Sequence, residues 1–358
     1  MDAIDYQRAA DLSSALRANA QSGSAVIGGG TNLLDLMKGG VARPVRLIDI
    51  THIAGLDQVS TLPGGGLRIG ATVRNSDLAN HPLVRERYPL LSQALLSGAS
   101  AQLRNMATVG GNLMQRTRCH YFYDSVYAEC NKRRPGSGCA AQQGFTRMHA
   151  IFGADARLDA NAPVATAQAP LAGTQASGTL PVSQCIAVNP SDMNVALAAL
   201  DATIRVTGSR GERVIAMSDF HRLPGTTPER DNNLDPGELI TSIDLPVSAF
   251  SAHAHYLKIR DRASYAFALV SVAVALDMNG TTVRDARIAL GGVAHKPWRA
   301  LEAERMLVGH PLDPLALEQA AASIVRTAQP YPGNAFKVKL VQRGVVRAVR
   351  QAAEGASA

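Results

Sequence analysis

Residues 26–40 read VIGGGTNLLDLMKGG. A short apolar run ends in three glycines, then Thr-Asn, then a helix-like apolar stretch closed by Gly39-Gly40. The pattern predicts a strand, a tight turn and a short helix. A second stretch, QLRNMATVGGNL at 102–113, again places paired glycines just before an Asn and bulky apolar residues. Neither has the G-x-G-x-x-G spacing of a Rossmann turn. Neither continues into the Gly-Lys-Ser/Thr of a P-loop. Glycines let a backbone approach phosphates closely and aim N–H groups at them. Thr31 and Thr108 add hydroxyl donors, and Asn32 and Asn112 add amide donors. One such loop alone reads as a tight turn. Two suggest a dinucleotide whose pyrophosphate is cradled from opposite sides.

Working outward, Tyr6 to Ala20 reads as helix and RLIDI (46–50) as a strand, which makes a compact α+β unit. A strand, turn and helix follow from Gly66, then one long helix from Pro89 toward the second glycine turn. Residues 154–183 are rich in Ala, Gly, Thr and Pro and read as a long surface loop, Ala154 to Ser183. SDMNVALAALDATIRVTG (191–208) gives a helix and a strand. Residues 224–246 read as an inter-domain connection ending in a strand. FALVSVAVALDMNGTTVRDARIALGGV (267–293) is a hairpin about Asn279-Gly280. Helices are expected over Pro314–Gln329 and Phe336–Ala353.

Composition bounds the function. The chain has 358 residues, 46% hydrophobic and 18% charged, ample for a real core without disulfides. The N-terminus lacks a basic start and an apolar h-region, so no signal peptide is expected. No apolar run reaches membrane-spanning length, and no membrane insertion is expected. The expected compartment is cytoplasmic, or periplasmic by co-export folded on a signal-bearing partner. The net charge of +7 is scattered, apart from Lys132-Arg133-Arg134, and no aromatics interleave it. Nucleic acid is not the expected partner. An anionic cofactor or acidic partner suits the charge better. No acid, base or nucleophile stands out as catalytic.

Only four cysteines occur: Cys119, Cys130, Cys139 and Cys185. No C-x-x-C pair is present, which argues against a zinc ribbon, and the bacterial ferredoxin run is missing. Spacing alone leaves buried inert thiols, a zinc site and an iron–sulfur cluster open. Lys132, Arg133 and Arg134 lie between Cys130 and Cys139, where cations would favour a negatively charged cluster. His120 is an alternative ligand.

Four motifs in order, VIGGGTNLLDLMKGG, QLRNMATVGGNL, PSDMNVALAALDA (190–202) and KIRDRASYAFALVSVAVALD…RIALGGVAHKPWRALEAE (258–304), resemble the FAD-binding subunit of xanthine dehydrogenase-family molybdenum hydroxylases. The resemblance covers nearly the whole chain. The cysteine segment is similar to the iron–sulfur insert in the flavin subunit of bacterial three-subunit aldehyde oxidoreductases. It implies an α+β fold: two subdomains of the PCMH type clasping FAD, then a C-terminal unit of small antiparallel sheet and helices. The boundaries read as 1–56, 57–226 with an insert at about 116–189, and 227–358. It implies that Val26, Ile27, Gly28, Gly29, Gly30, Thr31, Asn32, Leu33 and Leu34, with Thr108, Gly111 and Asn112, surround the pyrophosphate and ribityl chain. Ser191 and Asp192 would lie at the FAD, and Ile240 and Lys258 would approach the isoalloxazine from the third unit. Read as residues alone, Asp192 could cap the helix after it and Lys258 could be a strand-edge charge. The four cysteines would hold one 4Fe–4S cluster. A 2Fe–2S small subunit and a large subunit carrying the molybdenum cofactor would be partners, and electrons from an aldehyde would leave the flavin to an external acceptor. Two rivals are a stand-alone FAD oxidase of the vanillyl-alcohol type and a structural subunit with zinc or free thiols.

Overall fold

A computed structural model describes residues 3–154 and 184–355. The loop expected over Ala154 to Ser183 falls, beyond Ala154, outside the described residues.

The first unit is β1 (Asp5–Arg8), α1 (Leu12–Asn19), β2 (Ser24–Ile27), α2 (Leu33–Lys38) and β3 (Arg46–Asp49). Its three strands are parallel in the order β1-β3-β2. The helix expected over Tyr6–Ala20 is thus a strand followed by a helix. Asp11 separates them: its carboxylate accepts the Ser14 N–H and starts α1 as an N-cap. The first glycine turn runs from the end of β2 into α2, with Gly30 at φ +73°, a conformation that favours glycine.

The second unit is a five-stranded sheet of β4 (Val59–Thr61), β5 (Leu67–Gly70), β6 (Thr203–Gly208), β7 (Gly211–Ala216) and β8 (Leu239–Leu245), in the order β4-β5-β8-β6-β7. Helices α3 (Asn75–Asn80), α4 (Pro82–Arg87), α5 (Pro89–Ser97), α6 (Ala101–Arg104) and α7 (Val109–Leu113) follow β5. The single long helix expected here is broken. Ala99 has φ +51°, and Ser100 caps a new helical turn through the Leu103 N–H. After the short α8 (His120–Tyr123) in the insert comes α9 (Asp192–Ala199), whose eight residues are all buried. That explains an apolar sequence without a polar face. A short α10 (Met217–Phe220) follows β7. Because β8 pairs with both β5 and β6, the segment after 227 belongs to this sheet, and the third unit begins only after Leu245.

The third unit is an antiparallel sheet, β12-β11-β10-β9, made of β9 (Ala254–Ile259), β10 (Val270–Asn279), β11 (Thr282–Gly291) and β12 (Trp298–Arg299). The hairpin turns at Asn279-Gly280 as expected, with Gly280 at φ +58°. Strand β10 alternates small and large. Ala273 and Ala275 join the core of the second unit, while Val272, Val274 and Leu276 join a separate core under the C-terminal helices. Both faces are therefore buried, with small residues where the two units meet. Helices α11 (Leu301–Leu307), α12 (Pro314–Ile324) and α13 (Phe336–Ala353) cover the large-residue face. The expected helix from Pro314 leaves α-geometry after Ile324 for a 3-10 turn. In α13, Val341, Val345, Ala348, Val349 and Ala352 form one buried stripe at helical spacing. Among the described residues no helix is long and apolar enough to cross a membrane.

Candidate functional site

The two glycine turns meet. A Cβ on Gly28 would sit 2.6 Å from Thr108 Oγ1, and one on Gly29 would sit 1.7 Å from the Met106 carbonyl oxygen. Real side chains do not survive such distances, so glycine is required here by the other turn. The Asn32 amide donates to the Gly111 carbonyl at 3.3 Å. At Gly28, Gly29 and Asn32 the two turns are in direct contact and form one joined platform. Gly111 is more open, since a Cβ there would meet only Thr108 Oγ1, at 3.0 Å. Thr108 caps α7 by accepting the Gly111 N–H at 3.3 Å. Val26 and Ile27 lie on β2, Thr31 and Asn32 in the turn, and Leu33 and Leu34 open α2.

Ser191 is tied to this platform. Its hydroxyl donates to Asn112 Oδ1 at 2.8 Å and accepts the Asn194 N–H, capping α9. The cap is therefore Ser191, and Asp192 is the first residue of the helix. Both Asp192 oxygens are engaged: Tyr256 Oη donates at 2.7 Å and Lys258 Nζ at 2.8 Å. The Lys258 ammonium also donates to the Ser97 carbonyl at 3.0 Å. Lys258 sits on edge strand β9, yet its side chain is 5% exposed, so it is an internal ion pair rather than a surface charge. Tyr256 and Lys258 are two apart on one strand and share a face. Burial first, then the Asp192 carboxylate, pushes the Tyr256 phenol well up, so it stays a donor.

Ile240 does not fit its expected place. It lies on β8 in the second unit's sheet, paired with Val206 and buried among that unit's core, so it does not come from the third unit. The expectation assigned β8 to the wrong side of the domain boundary.

A cavity of ≈ 940 Å³ opens between the cysteine insert and the third unit. Ser191, Asp192, Arg118, Cys119 and His149 are among its lining residues. The glycine turns do not line it. Arg118 connects the two regions: it donates to Asn32 Oδ1 and, at 3.0 Å, to Asp35. Its guanidinium also lies over the rings of Tyr123 and Phe267. Arg118 Nε is buried without a hydrogen-bond partner among the described residues. An unmatched cationic donor beside a glycine-rich platform suits an anionic dinucleotide, and the volume is within the ordinary range for cofactor pockets. FAD fits the residues present.

The cysteines form no disulfide. Cys130 and Cys139 pair as an antiparallel bridge, and Cys119 and Cys139 pack against one small apolar cluster. Burial pushes the Cys119 thiol up to about 12, and the neighbouring Cys185 and Cys130 add to the shift. Burial likewise raises Cys185 to about 11, with Cys139 and Cys130 adding and Lys132 opposing. Each of these thiols thus lies within electrostatic reach of others of the set. Backbone N–H groups point at three sulfurs: Phe122 and Tyr121 at Cys119, Ala141, Gln142 and Ile186 at Cys139, and Ala187 at Cys185. Among the described residues, however, no three His, Cys, Asp or Glu side chains are arranged to hold a metal ion. Cys119, Cys130, Cys139 and Cys185 share a neighbourhood without converging on a point. As a donor set, soft thiols ringed by N–H groups suit an iron–sulfur cluster.

The basic triplet divides. Lys132 is buried and donates to Asp231 at 2.5 Å and to the Pro228 carbonyl at 2.6 Å. Arg133 and Arg134 turn outward onto the carbonyls of Asp124, Tyr127 and Ala128. Of the three, Lys132 favours the Cys185 thiolate. Burial would raise Asp231, but Lys132 and Arg116 outweigh it and hold the carboxyl at about 2. His120 lines the cavity, but the histidine that reaches a thiol is His149, with Nε2 3.1 Å from Cys119 Sγ. The sequence reading missed His149, Tyr256, Arg118 and Asp231. Tyr256 alone left a signal, its two-residue spacing from Lys258.

Residues 2–248 match the family described as FAD binding domain in molybdopterin dehydrogenase, and residues 255–352 match the CO dehydrogenase flavoprotein C-terminal domain. The chain is 44% identical to the aldehyde oxidoreductase FAD-binding subunit PaoB of Escherichia coli, over 98% of this chain and 99% of that one. It is 27% identical to the glyceraldehyde dehydrogenase medium chain of Sulfolobus acidocaldarius, over 91% and 89%. In fold it is similar to reconstituted CO dehydrogenase from Oligotropha carboxidovorans, with TM-score 0.72 at 23% identity over 99% of each chain. The chain belongs to the FAD-binding subunits of xanthine dehydrogenase-type molybdenum hydroxylases, a family of oxidoreductases.

Proposed function

We propose that this chain is the flavin and iron–sulfur electron-transfer subunit of a molybdenum-containing aldehyde oxidoreductase. The observation that carries the reading is the opening of one cavity onto both Asp192 and Cys119, beside a glycine-rich platform. The 44% identity to a subunit named for an aldehyde oxidoreductase supports the substrate class. When bound, FAD supplies one- and two-electron redox chemistry and a 4Fe–4S cluster supplies one-electron chemistry.

The chain's own residues bind and orient. Gly28, Gly29 and Gly111 keep the platform bare, and Arg118 offers an unmatched N–H beside it. Ser191 locks the platform to α9 through Asn112. Lys258 and Tyr256 hold the Asp192 carboxylate in one orientation at the cavity wall. Cys119, Cys130, Cys139 and Cys185 would hold the cluster, with Lys132 favouring the Cys185 thiolate. A 2Fe–2S small subunit would deliver electrons from a large molybdenum subunit, and an external acceptor would receive them.

A second reading is favoured by the unconverged thiols: the cysteines would hold the insert together without a redox role. Metal analysis separates the two. The test of function is stopped-flow mixing with an aromatic aldehyde. The lone chain should leave its flavin oxidised, and the complex with both partner subunits should reduce it. Rapid flavin reduction in the lone chain would favour a stand-alone oxidase instead.

A further inference from the structure

We propose that Arg118 couples FAD binding to closure of the cysteine insert: its guanidinium pairs with the phosphates of the dinucleotide and, so paired, clamps the insert between the first and third units. The inference rests on the flavin reading above and needs no metal at the cysteines. Arg118 lies where the chain enters the insert, and it touches three parts of the fold. In the first unit, Asn32 Oδ1 accepts from it, and Asp35 of α2 accepts at 3.0 Å. In the insert, the ring centre of Tyr123 lies 5.4 Å from its guanidinium carbon. In the third unit, the ring centre of Phe267 lies 5.1 Å away. Arg118, Tyr123 and Phe267 all line the large cavity. Asn32 in turn donates to the Gly111 carbonyl at 3.3 Å, so the cation is one side chain away from both glycine turns.

By itself this clamp is weak. Nη1 and Nη2 each have an acceptor among the described residues, but Nε has none. Asp35, the carboxylate paired with Arg118, is 51% exposed, and ion pairs open to water contribute little. Phe267 is 40% exposed, and Asp124 to Glu129 of the insert are exposed throughout. Phosphate oxygens match the planar guanidinium fork, and the pairing is charge-assisted. An anion at the platform therefore adds acceptors and charge at the edge of the guanidinium, while its faces stay on Tyr123 and Phe267. Holding Arg118 in this place favours the closed arrangement of insert and third unit. By reciprocity, closure favours the cofactor by the same factor.

The test uses the full chain, stripped of flavin and titrated with FAD, with Arg118→Met and Arg118→Lys compared with the unaltered protein. Affinity is read from flavin fluorescence at several salt concentrations. Amide hydrogen exchange over residues 120–142 is followed with and without saturating FAD. In the unaltered chain FAD should slow exchange in the insert several-fold. Arg118→Met should weaken FAD binding about tenfold to a hundredfold, flatten its salt dependence, and abolish the slowing even at saturating FAD. Arg118→Lys keeps the charge without the planar fork, so it should recover most of the salt dependence and little of the slowing. A folded Arg118→Met protein that binds FAD as tightly as the unaltered chain would overturn the proposal. Insert exchange that ignores FAD in the unaltered chain would overturn the coupling. If Arg118→Met does not fold, Arg118→Lys decides: full slowing of exchange by FAD in that variant would overturn the clamp. An unaltered chain that takes up no FAD would instead remove the flavin reading on which the proposal rests.

Discussion

The glycine platform and the cysteine insert lie side by side, yet only one of them is finished by the polypeptide. At the platform the protein itself enforces the geometry: Gly29 has no alternative beside the Met106 carbonyl, and Asn32, Asn112 and Ser191 bind its parts together. In the insert four thiols are gathered and supplied with N–H donors, but they do not converge. On the proposed reading the difference follows from what each site would bind: a dinucleotide is received by a preformed backbone surface, whereas metal ligation would draw the thiolates together, because metal binding and local folding are coupled. Burial, with a smaller contribution from the neighbouring Cys185 and Cys130, pushes the Cys119 thiol up to about 12.

This contrast can be broken by mutation. The largest effect is expected from Gly29→Val, whose Cβ would lie 1.7 Å from a backbone oxygen that cannot move without the second turn. Bound FAD and the cooperative thermal transition should be lost together. A folded Gly29→Val protein with full flavin content, measured by absorbance after gel filtration, would show that the turns do not need their contact. The ligand side is sharpened by Gly111→Val, which meets only the Thr108 hydroxyl and should lose flavin while retaining its fold.

Next comes Asp192→Ala. It leaves the buried Lys258 ammonium without its carboxylate, and breaking such a pair typically costs about 3–5 kcal/mol. Chemical denaturation of the flavin-free chain should register the loss. Asp192→Asn should cost less, because its amide oxygen still accepts.

Acid should act on the platform side as well. Burial holds His221 down at about 4 from 6.5, as a neutral ring beside the Leu113 carbonyl, 3.0 Å away. The unfolded chain binds the extra proton first. Stability contributed here is therefore full above pH 6.5 and falls as pH drops toward 4, by on the order of 3 kcal/mol. His221→Gln should flatten that part of the stability-against-pH curve, measured by urea unfolding at several pH values. An unchanged slope would contradict the assignment.

The smallest effect on the metal-free chain is expected from Cys139→Ser, about 1 kcal/mol, since the serine oxygen can still accept from the Ala141, Gln142 and Ile186 N–H groups while giving up some apolar packing. In anaerobically purified protein the same change should abolish iron binding and leave FAD in place. A large loss of stability in metal-free Cys139→Ser would instead favour thiols that hold the insert together.

The same contrast governs how much was legible in the sequence. Glycines before Asn announce a bare backbone, and Asn279-Gly280 between two apolar runs announces a hairpin. Those features reside in local spacing. The boundary after β8 was not legible, because a strand's neighbours are chosen by long-range pairing: Ile240 lies beside Val206 only once the sheet forms. The same holds for Lys258, which as an isolated lysine on an edge strand gives no sign of Asp192, 66 residues away along the chain. His149 and Cys119 are likewise joined only by the fold, whereas His120, adjacent in sequence, was the more visible candidate. Lys132-Arg133-Arg134 misled in the opposite sense, since contiguous charges point in different directions once Lys132 is buried on Asp231.

The most direct measurement is the cofactor stoichiometry of the full chain purified anaerobically, with FAD, iron, acid-labile sulfide and zinc determined on one sample alongside its EPR spectrum after reduction. The account predicts about one FAD with about four iron and four sulfide per chain, and a 4Fe–4S signal on reduction. Full FAD with no iron or sulfide, and thiols that titrate as free or bind zinc, would contradict it.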